Sequence, residues 1–306
     1  MISVIIPTRD PHRGRLQSTL AGLGAQTLAR SEWELVVIDN GSTPPLALPE
    51  VAAIGGRIVA EPVAGLTRAR LAGLRATRGE LLVFVDDDNV LRPTFLEDVR
   101  RRFAEEPRLG AAGGPVIAQF EVPPPEWTRE FHGLLALRDL GPAPIVARGG
   151  PAAPWPDCAP VGAGLCIRRA AVEAYAAALA ADPTRLALDR TGRSLASGGD
   201  NDIIFTALHA GWDVGYFPEL ALTHLIPAGR LEPGYLAALN EGVQRTWVRV
   251  LALHGHCPWP KIAPWTVPLR SARAWLRERA WSGAAAHIRW RGLRGRFLGL
   301  ADISSK

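Results

Sequence analysis

Short apolar runs alternate with helix-like stretches over the first 120 residues of the chain. The apolar runs are typical of buried strands, and leucine and alanine recur at helical spacing between them. Strands are predicted over 2–7, 34–38, 57–60 and 80–85, and helices over 13–27, 65–77 and 94–105. This alternation indicates right-handed βαβ units, and therefore an α/β fold with a mostly parallel central sheet flanked by helices.

The pattern becomes helical in the last third of the chain. Apolar spacing predicts a helix over 203–210, another over 231–254 and, after a proline-interrupted linker, a helical stretch over 269–300. We therefore predict an α/β domain over residues 1–230, divided into halves at 1–115 and 116–230, and a helical C-terminal extension over 231–306.

Polar clusters follow three of the predicted strands, at residues 8–10, 39–42 and 86–88. Ligands of open α/β sheets bind beyond the carboxyl ends of the strands. The three clusters therefore predict a single crevice at that edge of the sheet.

The last cluster consists of three consecutive carboxylates, Asp86, Asp87 and Asp88, after an apolar run without a cationic partner. Adjacent negative charges repel one another unless they meet solvent or a hard divalent cation, which takes oxygen ligands. A metal site at a strand end is one interpretation. The other is a loop that caps the next helix, since Asp favours caps and Pro93 suits a first helical turn.

Two common nucleotide-binding motifs are absent. The first predicted strand is followed by PTRDPHRGR rather than GxGxxG, and no P-loop motif occurs in the sequence. These absences argue against a dinucleotide oxidoreductase and a P-loop hydrolase. Without a glycine-rich cradle a bound diphosphate needs a metal, which the carboxylates at 86–88 are suited to hold.

Composition narrows the class further. A chain of 306 residues with 47% hydrophobic content is able to bury one large core or two smaller ones. It contains no apolar stretch of about 18 residues and no basic region at its start, MISVIIPTRD. Three cysteines without CxxC spacing indicate reduced thiols rather than a zinc site. We therefore expect a cytoplasmic protein.

Basic residues are concentrated in the tail. From residue 258 onward ten Lys and Arg face two acidic residues, whereas the whole chain carries a formal charge of +5. The remainder is mildly acidic, which argues against nucleic acid as a partner. Tryptophans interleaved with the arginines suit an anionic membrane surface, and thus a peripheral position at the inner face of the cytoplasmic membrane. A hairpin packed on the α/β domain and a homodimer contact are the alternatives.

Six segments, in order, resemble a known family: IIPTRD, VVIDNGST, GLTRARLAGLRATRGE, LLVFVDDDN, VGAGLCIRR and SGGDNDI. With them the chain resembles family 2 glycosyltransferases of the GT-A fold, a Rossmann-like sheet, over roughly residues 1–230. The resemblance implies an inverting, metal-dependent enzyme that uses a nucleoside diphosphate sugar. Its nucleotide-binding half would be 1–115 and its acceptor half 116–230.

The resemblance implies a nucleotide pocket at the ends of the first strands. Pro7, Thr8, Arg9 and Asp39 would line this pocket, and Arg70 would face it. For Asp39 the alternative is an Asx-turn in the sequence DNGS. For Arg70 the alternative is the solvated face of an arginine-rich helix that also contains Arg68 and Arg75. The residue after Arg70 is leucine, where the family frequently has asparagine.

The DxD motif of the family corresponds to Asp86 and Asp88. The resemblance implies that Asp88 ligates Mn²⁺ or Mg²⁺ directly, that Asp86 shares this site and lies nearer the ribose, and that Asp87 belongs to the nucleotide-binding set. His224, at the end of another short apolar run, corresponds to a histidine near the metal or diphosphate, as ligand or donor. A structural histidine is the alternative.

Asp200 corresponds to the proposed general base of the family. In an inverting transfer the acceptor hydroxyl loses its proton as the nucleoside diphosphate leaves from the opposite face, and one carboxylate near the acceptor suffices. Helix capping is the alternative, which we favour for Asp202 over a contact to the acceptor. Gly199 departs from the glutamate that is usual at this position, so the acceptor geometry is open.

Further contacts to donor or acceptor are expected from Gly164, Trp127, Trp155 and Arg230. Gly164 would permit close backbone approach to the donor sugar, and the tryptophan rings would pack against sugar faces. Arg230 would clamp the diphosphate. Core packing is the alternative for both tryptophans.

The expected function is transfer of a sugar, preferably from a UDP-sugar, to a hydroxyl of a saccharide or lipid-linked acceptor in polysaccharide or glycolipid biosynthesis. One alternative is a catalytically silent scaffold of the same fold. Another is a sugar-nucleotide pyrophosphorylase, although such an enzyme needs a glycine-rich, lysine-containing loop after the first strand, which PTRDPHRGR does not supply.

Overall fold

The computed structural model describes residues 1–192 and 194–303, so residues 304–306 of the predicted extension lie outside the described part. Within these ranges the strands are β1 (Ile2–Thr8), β2 (Trp33–Asp39), β3 (Arg57–Ala60), β4 (Leu81–Phe84), β5 (Asn89–Leu91), β6 (Leu109–Gly113), β7 (Val116–Phe120), β8 (Ile145–Ala147), β9 (Leu165–Arg168), β10 (Asp213–Tyr216) and β11 (Leu222–Ile226). The helices in the same ranges are α1 (Arg13–Gly24), α2 (Pro49–Ala53), α3 (Leu66–Ala76), α4 (Phe95–Glu105), α5 (Arg169–Ala181), α6 (Gly199–His209), α7 (Pro233–Leu253), α8 (Val267–Arg277) and α9 (Ala284–Asp302).

The main sheet has eight strands in the order β3-β2-β1-β4-β9-β6-β10-β8. Pairing is parallel from β3 through β2 and β1 to β4, and between β6 and β10. Strand β9 runs antiparallel between β4 and β6, and β8 is antiparallel at the edge. The predicted α/β class with a mostly parallel sheet is confirmed.

Strands β1, β2 and β4 end at the same edge of this sheet. All seven residues of β1 are buried, as its apolar sequence predicts, and its last residue, Thr8, pairs with Asp39 at the end of β2. Strand β4 lies on the other side of β1, with Phe84 opposite Ile5. The polar clusters after these strands therefore begin at one edge, as predicted.

The described residues form two compact units, each assembled from three segments of the chain. The first unit comprises residues 1–119, 136–186 and 203–225, and the second comprises 120–135, 187–202 and the chain from 226 onward. The division at residue 230 stays a prediction.

Helices α7 and α9 of the second unit pack closely because three glycines of α9 face α7. A Cβ atom on Gly295 would lie 2.2 Å from the carbonyl oxygen of Glu241, and one on Gly299 would lie 2.6 Å from that of Arg245. Nearby, the Asn240 side chain donates a hydrogen bond to the carbonyl oxygen of Ile288 at 2.9 Å. The backbones of α7 and α9 are therefore in close contact at these glycines.

The predicted continuous helical stretch over 269–300 is wrong. Helix α8 ends at Arg277 and α9 begins at Ala284. Between them the backbone enters the left-handed region at Arg279, with φ of 51°, and at Gly283, with φ of 152°. A residue with positive φ cannot continue a right-handed helix, so the helix breaks here. Among the described residues, no helix combines the length and the apolar character that crossing a membrane requires.

Glu241 of α7 accepts hydrogen bonds from two arginines of α9, and these contacts should make the stability of the second unit depend on pH. Burial raises the pKa of Glu241, but hydrogen bonds from Arg291 at 2.6 Å and Arg294 at 2.5 Å outweigh burial and hold that pKa below its ordinary value of 4.5. A lowered carboxylate pKa contributes stability that is present above the ordinary value and is lost as the pH falls through the folded value. We therefore expect the free energy of unfolding to decrease below about pH 4.5.

Urea unfolding followed by circular dichroism at pH 7, 5 and 4 checks this. Glu241→Gln should be less stable than the native protein at pH 7 and should depend less steeply on pH below 5. Glu126→Gln, an exposed position in the same unit, is the matched control. Equal pH dependence of the Glu241→Gln and native proteins would contradict the role of Glu241.

Candidate functional site

Residues at the ends of β1 and β4 meet through a side-chain hydrogen bond. The buried Thr8 hydroxyl donates to the carboxylate of Asp87, which lies 79 residues further along the chain. Pro7 is buried within β1 opposite Ile38, whereas Arg9 is exposed and lies 3.6 Å from the carboxylate of Asp10. The structure thus brings together Thr8 and Asp87 from the predicted nucleotide-binding set.

Asp39, at the end of β2, is buried and held by the loop that follows it. Its two carboxylate oxygens accept hydrogen bonds from the backbone N–H groups of Ser42 and Leu46, both at 2.9 Å. Burial raises the pKa of Asp39, but these hydrogen bonds and one from the Ser42 hydroxyl hold it below its ordinary value. Asp39 therefore closes a turn in DNGS, and because an ionised carboxylate has about four acceptor sites, capacity for a ligand remains.

Asn40 fixes the loop between β3 and α3, a role that sequence reasoning missed. Its side-chain amide donates to the carbonyl oxygens of Glu61 at 3.0 Å and Val63 at 2.8 Å. Its side-chain oxygen accepts from the backbone N–H of Gly65 at 2.7 Å, directly before α3 begins. The only sequence signal was the position of Asn40 in the cluster after β2.

Arg70 on α3 is almost completely buried, with 5% of its surface exposed. Its guanidinium carbon lies 5.7 Å from the centre of the Phe84 ring on β4. Arg68 and Arg75 of the same helix are exposed, as a solvated face requires. The interpretation of Arg70 as part of that solvated face is therefore wrong, and its role toward a nucleotide stays a prediction.

Asp88 and His224 lie side by side, although 136 positions separate them in sequence. Strand β11 pairs antiparallel with β5 so that His224 is opposite Asn89, and the N–H of Leu225 donates to the carbonyl oxygen of Asp88 at 2.8 Å. The His224 Nε2 atom is then 3.5 Å from the Asp88 Oδ2 atom, and both side chains are about 95% buried. Asn89 donates a further hydrogen bond to Asp88 Oδ1 at 3.1 Å.

Asp88 and His224 are two side-chain types that can bind a divalent metal ion. No group of three or more His, Cys, Asp or Glu side chains in the described part of the chain is arranged to hold a metal ion. Mg²⁺, however, is commonly bound by one or two carboxylates together with substrate phosphates and water, and imidazole also suits transition metals. A buried carboxylate beside an imidazole therefore fits a divalent ion that takes its remaining ligands from a diphosphate.

Asp200 and Asp202 occupy the first turn of α6, in the second unit, with different surroundings. Asp200 is partly exposed, and its Oδ1 atom accepts a hydrogen bond from the N–H of Asn201 at 3.0 Å. Asp202 is completely buried, and its Oδ1 atom lies 2.7 Å from His254 Nε2. Asp202 lies in the first turn of α6, which begins at Gly199, and its carboxylate also contacts the histidine that directly follows α7, so its capping role stays a prediction. Sequence reasoning missed His254.

Gly199 makes room for a third carboxylate, that of Asp189. An ideal Cβ atom on Gly199 would lie 2.3 Å from Asp189 Oδ2. Asp189 is buried, and its Oδ1 atom accepts a hydrogen bond from the N–H of Arg190 at 2.9 Å. The Asp189 carboxylate thus occupies the space that a side chain at position 199 would enter. The departure from glutamate at Gly199 was the one signal in the sequence.

Four further residues were predicted to contact the donor or the acceptor, and their positions in the structure are as follows. Gly164 has φ of +69°, and a Cβ atom there would lie 2.4 Å from Leu222 Cδ2, so packing alone requires glycine. Trp155 packs against Phe205 in the first unit, and Trp127 packs edge-on against Phe131 in the second, with ring centroids 4.9 and 6.4 Å apart. Arg230 lies in the short 3-10 helix Ala228–Leu231. Sugar and diphosphate contacts of these residues stay predictions.

The sequence matches the model of the family described as Glycosyl transferase family 2 over residues 3–174, more than half of the chain. The chain belongs to glycosyl transferase family 2. The matched range contains Thr8, Asp39, Arg70 and the carboxylates at 86–88 and ends before Asp200. The predicted family is confirmed.

Two curated relatives of this family 2 glycosyltransferase are similar over shorter ranges. The O-antigen biosynthesis protein RfbC of Myxococcus xanthus is 32% identical over 115 residues, which are 36% of this chain and 9% of that protein. An uncharacterized protein of Mycobacterium tuberculosis is 37% identical over 87 residues, 28% of this chain and 27% of that protein. The chain thus matches less than a third of the length of either relative.

Solved structures of Staphylococcus aureus TarS have a similar fold. The structure of TarS residues 1–349 has a TM-score of 0.51 and 12% identity, and the match covers 98% of this chain and 90% of that one. The same part of TarS in complex with UDP gives a TM-score of 0.50 with 14% identity and the same coverage. At these identities the similarity confirms the GT-A fold of this family 2 glycosyltransferase.

Proposed function

We propose that the protein transfers a sugar from a nucleoside diphosphate sugar, in the first place a UDP-sugar, to a hydroxyl of a saccharide or lipid-linked acceptor. The reaction is inverting and metal-dependent, and it serves polysaccharide or glycolipid biosynthesis. The observation that carries the proposal is the buried pair of Asp88 and His224 beside the carboxylates that follow β4. The O-antigen relative and the UDP complex of TarS support the pathway and the donor class.

The strand-end residues of the first unit would bind the nucleotide. Asp39 retains acceptor capacity for a ribose or base donor, as its hydrogen bonds to the DNGS loop do not use every lone pair. The buried guanidinium of Arg70 offers a positive charge in a low-dielectric setting, where charge-assisted hydrogen bonds to phosphate are strong. Asp87 is oriented by its hydrogen bond from Thr8.

Asp88 and His224, with Asp86 nearby in sequence, would hold Mn²⁺ or Mg²⁺. When bound, such an ion neutralises charge that develops on the departing diphosphate. The protein supplies a carboxylate and an imidazole that the β5–β11 pairing holds in fixed positions.

Asp200 would accept the proton of the acceptor hydroxyl on its carboxylate. Its partial exposure leaves the carboxylate accessible to an incoming hydroxyl, whereas the completely buried Asp202 is not accessible. The contact between Asp202 and His254 instead fixes the first turn of α6, which also contains Asp200. We assign Asp202 to positioning rather than to contact with the acceptor.

Calorimetric titration with UDP, GDP and dTDP, with and without Mn²⁺, tests the proposal. We expect metal-dependent binding of one nucleotide by the native protein, and binding at least about 10-fold weaker by Asp88→Ala, since the variant lacks a carboxylate that would hold the metal on the diphosphate. Asp182→Ala, at a position outside the proposed site in the same unit, should bind as the native protein does. If none of the nucleotides binds under either condition, the silent-scaffold alternative replaces the transferase.

A further inference from the structure

Helix α8 of the second unit presents an apolar face to solvent. Leu269 and Leu276 are 53% and 61% exposed, and Ala272 between them is also exposed. Trp265, in the short 3-10 helix just before α8, is 79% exposed. Leu269, Ala272 and Leu276 are spaced by three and four residues, which places them along one side of the helix. Large apolar side chains gathered on one solvent-facing helix side mark a surface that another partner covers.

The inner side of the same helix is already occupied. Val267, Ser271 and Ala274 are buried, and at about 100° per residue they lie opposite the apolar face. Trp290 of α9 donates a hydrogen bond to the carbonyl oxygen of Ser271 at 2.9 Å, which anchors this inner side. Helix α8 therefore has a buried face that packs against the protein, and the exposed apolar face is a second, distinct surface of the helix.

Basic side chains flank the apolar face on one side. Arg270, Arg273 and Arg277 are exposed and follow one another at helical spacing. They line a groove of about 690 Å³ together with Lys261 and Arg296. The apolar wall of this groove includes Trp259, Phe297 and Leu300, and none of the described residues that line it is acidic.

Two indole rings lie at the end of the helix. Trp275 and Trp281 are 38% and 58% exposed, and their ring centroids are 4.6 Å apart. Tryptophan prefers the boundary between hydrocarbon and water, because its ring is apolar and its N–H group is polar. At about 100° per residue, Trp275 flanks the apolar face on the side opposite the arginines.

We propose that α8 lies in the surface of an anionic phospholipid bilayer, with its apolar face in the headgroup region and its arginines on lipid phosphates. An interfacial helix needs an apolar side, a basic side and tryptophan near the boundary, and α8 has all three. The groove offers cations above an apolar wall, which matches a phosphate headgroup with the start of an acyl chain. This surface does not depend on the reaction proposed for the protein.

Charge favours a lipid surface over a second copy of the chain. A two-fold contact through this face would bring the same patch of both copies together. Arg270 and Arg273 form no ion pair within the described residues, so such a contact would place unneutralised cations near one another. An anionic bilayer neutralises these charges instead.

Co-sedimentation of the full chain with vesicles tests the proposal. We expect binding to vesicles of phosphatidylcholine with about 30% phosphatidylglycerol, little binding to phosphatidylcholine alone, and loss of binding in about 1 M NaCl, where charges are screened within about 3 Å. Each basic residue near an anionic surface contributes about five-fold in partitioning. The double variant R270E/R273E should therefore bind at least about 25-fold more weakly.

The double variant L269E/L276E should also lose binding, since it places charges on the apolar face. The control R13E/R78E removes the same charge from exposed positions of the first unit, and V63E/I117E places the same glutamates on exposed apolar positions there. Circular dichroism melts establish that all variants are folded. Both controls should bind as the native chain does.

Two outcomes would overturn the proposal. One is a native chain that does not sediment with anionic vesicles, or variants of α8 that bind no worse than the controls. The other is a dimer in light scattering that L269E/L276E disperses while vesicle binding is absent, which would assign the face to a second copy.

Discussion

Replacing Asp200 with asparagine is expected to lower the rate of sugar transfer by about 100- to 10,000-fold, the range that a positioned general base contributes. Asparagine has nearly the same shape but cannot take up the acceptor proton. Nucleotide affinity should stay unchanged, because Asp200 is not one of the proposed nucleotide-binding residues. Release of nucleoside diphosphate from the donor identified by titration measures the rate, and calorimetry measures the affinity.

The pH profile separates a base from a merely structural residue. For the native protein kcat/KM should fall at acid pH as the carboxylate becomes protonated, and this acid limb should disappear in Asp200→Asn. Asp302→Asn, which changes a partly exposed aspartate of the same unit that pairs with Arg245, is the matched control. Transfer by Asp200→Asn within ten-fold of the native rate would remove Asp200 from the mechanism.

Replacing Gly295 with valine is expected to lower the free energy of unfolding by about 3 kcal/mol, near the upper end for overpacked positions. A Cβ atom at this position would lie 2.2 Å from the carbonyl oxygen of Glu241. The obstacle is backbone of α7, which cannot rotate away as a side chain does. Relief therefore requires that α9 move from α7, which would also weaken the hydrogen bonds of Arg291 and Arg294 to Glu241.

Urea unfolding with circular dichroism detection measures the loss. Gly234→Val is the control, since Gly234 is a helical glycine of α7 that has open space where a Cβ atom would be. That variant should stay within about 0.5 kcal/mol of the native protein, as surface substitutions usually do. Similar stability of the Gly295→Val and Gly234→Val proteins would show that the helices are not held at this distance.

Local patterns were sufficient to predict the first four strands of the chain and the edge of the sheet at which β1, β2 and β4 end. Short apolar runs bounded by polar residues specify strands whatever their neighbours, so β1, β2, β3 and β4 agree with the predicted ranges to within about two residues. The carboxylates at 86–88 follow β4 and therefore had to emerge at the strand end. Local patterns also predicted helix positions, since α3 and α7 agree with the predicted ranges.

Relations between distant segments were not accessible in this way. Neither the bond between His254 and Asp202 nor the approach of Asp189 to Gly199 follows from any spacing, because tertiary packing alone brings these residues together. The break between α8 and α9 did have a signal, Ser282 followed by Gly283, but the apolar spacing on either side concealed it. Periodicity identifies a helical face, whereas a break depends on one or two backbone angles.

The hydrogen bonds of Asn40 bear on the kinetics of ligand capture. They hold the loop before α3 at three backbone groups, so this edge of the sheet is ordered before any ligand arrives. Ordering a loop residue costs about 1–2 kcal/mol of conformational entropy, and a loop that is already ordered does not subtract this amount from the binding free energy. Association at this edge should then proceed at a rate set by diffusion and charge, without a preceding slow rearrangement.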